Sequence, residues 1–276
     1  MLYVPTGGFN FRAIQSNVAG VRPLNTVGAV LTPAVGSKGA WAEVFASLDN
    51  DTYGLMIQIH NAAASAANRT YAIDIGIGAS GSELVIIPDL IGSCAATMDA
   101  RGGHWYYFPF YIPAGTRVAA RAQGSVTTSV RVNVQAMQRP AAPWMHRTCG
   151  KVEEIGLSGI VGTSVTASGS NSEGSWTLIG TTTQDNWWWQ FGAQIAVADT
   201  THNTGMTYFD IARGDGTNFQ VIVENINFRT STSEDMGKPL SLFGCECFVP
   251  SGSSIYVRGW TSGAGDPFEV AVYGAR

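Results

Sequence analysis

The sequence predicts an all-β fold, two tandem jelly-roll-like β-sandwiches from an internal duplication, and three observations lead there. Landmark residues recur in the same order about half a chain apart, apolar residues fall in short β-branched and aromatic runs, and helical periodicity is absent outside 62–67, one or two turns at most.

The recurrence begins at Gly39-Ala40-Trp41, answered by Gly174-Ser175-Trp176. Tyr71-Ala-Ile-Asp74-Ile75 is answered by Thr207-Tyr-Phe-Asp210-Ile211. Phe110-Tyr-Ile-Pro113-Ala-Gly115 is answered by Cys247-Phe-Val-Pro250-Ser-Gly252, and the arginines Arg121 and Arg258 follow those prolines at the same distance. Arg131-Val-Asn-Val-Gln-Ala-Met137 is answered by Glu269-Val-Ala-Val-Tyr-Gly-Ala275. A period this long means a duplicated domain, since solenoid units run roughly 20–50 residues. The expected organisation is an N-terminal arm over 1–38, a first sandwich over 39–137, a linker over 138–173 and a second sandwich over 174–276.

Strands are expected at 55–60, 83–87, 116–123 and 126–134 in the first copy. In the second they are expected at 189–197, 206–211, 219–224, 240–249, 254–260 and 268–273. Arg131-Val132-Asn133-Val134-Gln135 alternates polar and apolar, as a strand with one buried face must. Pro113-Ala114-Gly115 and Pro250-Ser251-Gly252 read as tight corners: proline presets φ and glycine admits positive φ. The arm is rich in Gly, Asn and Pro with scattered apolar residues, the composition of a segment that lies on a neighbour. The linker is a Gly/Ser/Thr stretch with one strand at 155–161.

Composition narrows the function classes. Charged residues make up 13% of the chain, against roughly 25% in an average soluble domain. Either an uncharged β surface faces solvent, or neighbouring subunits cover much of it. The net charge is -4 and no basic run occurs, so nothing is positioned to displace counterions from phosphate, and nucleic-acid binding is not expected. Met1-Leu2-Tyr3-Val4-Pro5 lacks the basic and apolar regions of a signal peptide, and no apolar stretch approaches the ~20 residues that span a bilayer. The expected setting is synthesis in a cytoplasm, uncleaved and without membrane insertion. Cys94, Cys149, Cys245 and Cys247 are too few for a disulfide scaffold and are expected as free thiols, the last two buried on one strand face.

No catalytic or cofactor motif emerges, so neither an enzyme nor a cofactor is expected. There is no GxSxG elbow, P-loop, HExxH or helix-opening GxGxxG. His60, His104, His146 and His202 have no ligand spacing, and His146-x-x-Cys149 would need two distant partners to hold zinc. Asp74 and Asp210 occupy equivalent places among apolar residues. Pairing with Arg121 or Arg258, or with backbone donors, is the structural reading; catalysis, or a metal or ligand role, is the other. Asp49-Asn-Asp51 and Asp215-Gly-Thr-Asn218 offer oxygens for calcium but fit ordinary turns. The aromatics Trp187, Trp188, Trp189, Trp105 and Tyr106 are the candidate contacts, for core, subunit interface or a glycan. Strand alternation puts Trp187 and Trp189 on one face and Trp188 on the other.

Two runs carry a family resemblance: Ile-Pro-Ala-Gly-Thr-Arg-Val-Ala-Ala-Arg-Ala-Gln at 112–123 and Ile-Gly-Ile-Gly-Ala-Ser-Gly-Ser-Glu at 75–83. In them the chain resembles the virion structural proteins of tailed bacteriophages, over the first copy and, through the repeat, the second. The resemblance implies a non-enzymatic subunit of a tail, tail tip or capsid surface. Its expected partners are other copies of itself, as a trimer or another cyclic oligomer, and other virion proteins. The alternative expectation is a receptor-binding module gripping a host surface glycan through the aromatic clusters.

Overall fold

The computed structural model describes residues 13–15, 28–61, 69–94, 104–137, 148–169, 172–195, 206–229, 244–261 and 267–276, and all its regular elements are strands. The helical candidate at 62–67, His146 and His202 lie outside these residues.

The first sandwich opposes two sheets. In one, β10 (Val130–Met137) is flanked on one side by β1 (Ala13–Gln15) and β2 (Ala29–Leu31). On the other side lie β5 (Gly54–Asn61) and then β8 (His104–Phe108). In the other sheet, β9 (Val118–Gly124) carries β3 (Ala34–Val35) and β4 (Ala42–Phe45) on one side. Its opposite side carries β6 (Arg69–Ile77) and then β7 (Leu84–Cys94). The main strand orders, 2-10-5-8 against 4-9-6-7, interleave sequence-distant strands as a jelly roll does.

The second sandwich repeats the plan. Strand β20 (Pro267–Ala275) takes β11 (Val152–Ile155) and β13 (Val161–Thr166) on one side, and β12 (Leu157–Ser158) pairs with β13. On its other side β15 (Asn186–Ile195) is followed by β18 (Cys245–Val249). The opposing sheet runs β14 (Thr177–Thr181), β19 (Ser254–Thr261), β16 (Met206–Gly214), β17 (Phe219–Arg229). Segments 1–38 and 138–173 therefore both supply strands at sheet rims: β1, β2 and β3 from the first, β11, β12 and β13 from the second. These strands are short and do not alternate clearly, so the pairing that holds them is written in their neighbours rather than in themselves.

Alternation decides which side chains form each core. In β10, Val130, Val132, Val134 and Ala136 point inward, and β5 answers with Leu55, Ile57 and Ile59. The second core gathers Trp189, Phe191 and Ala193 of β15 against Phe209, Phe228, Val257 and Phe268. Each Pro-x-Gly corner carries its glycine at positive φ, 79° at Gly115 and 80° at Gly252. Each corner is held identically. Gly115 N–H donates to the Leu48 carbonyl and Ala114 N–H to Asp51; Gly252 N–H donates to the Thr182 carbonyl and Ser251 N–H to Asp185.

Candidate functional site

The two sandwiches meet along a seam that completes the first core. The face of β15 and β20 turned away from the second core presents Trp188, Gly192, Ala271, Tyr273 and Ala275. Of these, Ala271, Tyr273 and Ala275 belong to the first core, with Val152 and Cys149. They close the side of the first sandwich where rim strands β7 and β8 face one another. Gly192 is required there, because a Cβ would come within 2.6 Å of both Ile91 and the Tyr106 hydroxyl.

A rim strand exposes backbone groups that must be satisfied or left to another chain. On β7 two tyrosines satisfy them. Ile91 N–H donates to the Tyr273 hydroxyl oxygen at 2.8 Å, and that hydroxyl donates to the Asp89 carbonyl at 2.9 Å. The Tyr106 hydroxyl donates to the Ile91 carbonyl at 2.6 Å. The two rings meet edge to face at 5.6 Å. Farther along, Trp188 Nε1–H donates to the Tyr107 carbonyl at 3.0 Å, with the rings 5.7 Å apart.

This geometry accounts for the aromatics singled out in the sequence. Trp189 is fully buried in the second core, its Nε1–H on the Cys247 carbonyl. Tyr106 is buried in the seam, and Trp105 on β8 is half-buried. Simple alternation fails at Trp187: it packs with Trp188 against the first core instead of following Trp189. The cause is a register shift between β15 and β18 at Asn186/Trp188, which breaks the two-residue period.

A second arrangement occurs once per sandwich. Arg121 Nε–H donates to Asp74 Oδ2 at 2.8 Å and its guanidinium lies 4.5 Å over the Trp41 ring. Arg258 Nε–H donates to Asp210 Oδ2 at 2.9 Å and lies 4.5 Å over Trp176. The other oxygen of each aspartate accepts a bulge amide from the neighbouring strand: Asp89 N–H at 3.0 Å and Asn225 N–H at 2.8 Å. Both bulge residues have positive φ, 50° and 57°, the only non-glycine residues among those described that do. Carboxylates this deeply buried are tolerated because each pairs with an arginine and a backbone donor. The two clusters differ in charge. Lys38 bonds Asp74 and Asp89 in the first, whereas Glu173 pairs with Arg258 in the second.

The remaining candidates are placed as follows. Asp215 accepts the Thr217 and Asn218 amides within its own turn, which hold its carboxyl down to about 2. His104 is buried, its Nε2 accepting Ser93 N–H, and burial holds its ring neutral with a pKa of about 4. His60 is buried. Cys149 is buried, and Cys245 and Cys247 are half-buried against the second core. Among the described residues no three His, Cys, Asp or Glu side chains converge as metal ligands, and no helix is long and apolar enough to cross a membrane. The seam itself escaped sequence reading; its one signal was that the repeat carries Tyr273 where the first copy has Gln135.

No family model matches the chain, and no curated protein does. Among solved structures, it is similar to the STIV MCP, a viral major capsid protein, at 8% identity and a TM-score of 0.34, over 89% of this chain and 93% of that one. It is also similar to the N-terminal CBM22-1-CBM22-2 tandem domain of Xyn10C from Paenibacillus barcinonensis, at 8% identity and a TM-score of 0.24, over 83% and 79%.

Proposed function

We propose that this chain is a non-enzymatic structural subunit of a phage virion, a tail, tail-tip or capsid-surface component that works through symmetric assembly with its own copies. The observation that carries the reading is the placement of its exposed apolar residues. Five of the six large apolar side chains exposed among the described residues, Val30, Val35, Leu84, Leu178 and Phe248, lie on rim strands (β2, β3, β7, β14 and β18), and the sixth, Tyr111, lies beside the Pro113 corner. A rim strand offers unpaired N–H and C=O groups to another chain, and natural sequences guard such strands with charge or proline when they must stay unpaired. Here apolar side chains stand in those places, which suits strands that meet other subunits.

Two further features support it. The runs that resemble phage virion proteins, 75–83 and 112–123, build the β6 end, the corner and β9 around the Asp74–Arg121 pair, so the resemblance falls on the scaffold. The seam also joins two sandwiches, which we take as copies of one ancestral unit, because Ala271, Tyr273 and Ala275 of the second complete the core of the first, as a load-carrying subunit requires. The glycan-binding alternative is weakened by burial: Trp189 and Tyr106 cannot stack on a sugar ring, and Trp188 is committed to Tyr107.

The test is the solution mass of the full chain by size-exclusion chromatography with light scattering. A trimer or another closed oligomer is expected. A monomer at every concentration would refute the reading, and binding on a glycan array would then move the chain to the alternative.

A further inference from the structure

The seam inside the chain has a counterpart left open at the other end. In the first sandwich the side between β7 and β8 is closed by the second sandwich, through Tyr273 and its neighbours. The corresponding side of the second sandwich lies between β17 and β18, rim strands that hold the same positions in their sheets. There Ile222, Val223, Cys245 and Cys247 are only half-buried against the second core. Asn227, at the place of Ile91, has a buried Oδ1 that finds no hydrogen-bond partner among the described residues.

The face that closes the first seam also has a counterpart. In the first sandwich it is the outer face of β2, β10 and β5, with exposed Val30, half-buried Met56 and Met137, and His60 and Asn133 buried between them. Strand β13, which corresponds to β2, touches β6 in the chain's own seam, so β2 stands where an intermolecular contact of the same kind would need it.

We infer that the open side of the second sandwich receives the outer β2–β10–β5 face of the first sandwich of another copy, repeating between chains the contact made within each. This deepens the assembly reading above and rests on it. Charge favours this occupant. The first cluster balances Lys38 and Arg121 against Asp74 and Asp89, and the face it meets carries Glu154 and Glu269. In the second cluster the single cation Arg258 stands against Asp210, Glu173 and, in the bulge, Glu224. The face proposed to meet it carries Arg131 at the register place of Glu269. The open side has become more acidic while its partner face has become more basic, as two surfaces selected to meet would. The contact is head-to-tail, so it propagates around a ring or along a fibre.

Glu224→Lys and Val30→Glu both change exposed side chains, one on each surface. Light scattering of the full chain should show each variant at least tenfold weaker in self-association, with its thermal unfolding unchanged. Ser80→Lys, in the exposed turn between β6 and β7 and on neither surface, should leave the mass as it was. An oligomer that survives both substitutions overturns this contact and leaves the assembly reading standing. A parent chain that is monomeric throughout overturns both.

Discussion

Replacing Tyr273 by Phe removes one oxygen from the middle of the seam and tests whether the seam is as tightly built as its geometry states. The side chain is fully buried, and its hydroxyl is the partner of both the Ile91 N–H and the Asp89 carbonyl. Phenylalanine keeps the ring and its edge-to-face contact with Tyr106. The loss is therefore confined to two hydrogen bonds, and the Ile91 amide is stranded away from water. An unsatisfied buried donor costs about 1–3 kcal/mol, more than the net worth of the bond itself. Tyr273→Ala also empties the ring volume, which in a packed core costs about 3–5 kcal/mol. Urea denaturation of the full chain, followed by tryptophan fluorescence, reads both. The parent should unfold in one transition, because residues of the second sandwich complete the first core. Tyr273→Phe should move the midpoint down by the equivalent of about 1–3 kcal/mol at unchanged slope. Tyr273→Ala should split the curve in two as the sandwiches uncouple. A Phe variant within 0.5 kcal/mol of the parent, roughly the scatter of a neutral surface change, would refute the reasoning.

Two further changes test neighbouring groups. Gln190 lies beside Tyr273 in the seam, fully buried, with neither amide atom hydrogen-bonded among the described residues. Gln190→Met keeps the shape and discards the unsatisfied amide, so it should stabilise the chain by about 1–2 kcal/mol in the same assay; a loss would mean the amide is bonded after all. His104 is buried and neutral, its pKa lowered from 6.5 to about 4 by burial. Between those values the unfolded chain binds a proton that the folded chain refuses. Stability from this group is thus complete above pH 6.5 and is lost as pH falls toward 4, by about 3 kcal/mol in all. His104→Asn should flatten the stability profile over that window relative to the parent, and parallel profiles would count against the assignment.

Much of the fold was legible because jelly-roll strands announce themselves by alternation. Val130, Val132 and Val134 face inward, and the long partners β5, β15, β19 and β20 fall where β-branched runs predict them. The rim strands were not legible. Ala29–Leu31 and Leu157–Ser158 have no room for a period, and only the strand beside each gives it a register. The site divides on the same line. Asp74 with Arg121 and Asp210 with Arg258 stood out by recurrence, since the repeat aligned them before any geometry did. Trp187 was misplaced by alternation because a register shift leaves no mark in composition. Tyr273 carries the seam, yet in sequence it is one more aromatic on a strand. Its role lies in reaching the rim of β7, which no spacing within the second copy encodes.

The two polar clusters share one part and differ in another. The aspartate, arginine, tryptophan and positive-φ bulge are kept in both sandwiches, because together they satisfy a buried carboxylate and fix the bulge on which it closes. The residues around them differ in charge: Lys38 stands in the place of Glu173, and Asp89 in that of the neutral Asn225. Folding alone does not demand the exchange, since each aspartate has its arginine and its amide either way. What differs is the surface each cluster meets. The first lies against a face of its own chain that carries Glu154, whose carboxyl is pushed up by burial and by Asp89 and is opposed by Lys38. A lysine there answers an acid the chain itself supplies. Among the described residues the second has no such acid to answer, and Glu173 stands in the place of Lys38 beside Arg258 and Asp210. The shared part of the cluster thus belongs to the sandwich, and the part that differs goes with the surface proposed to meet it.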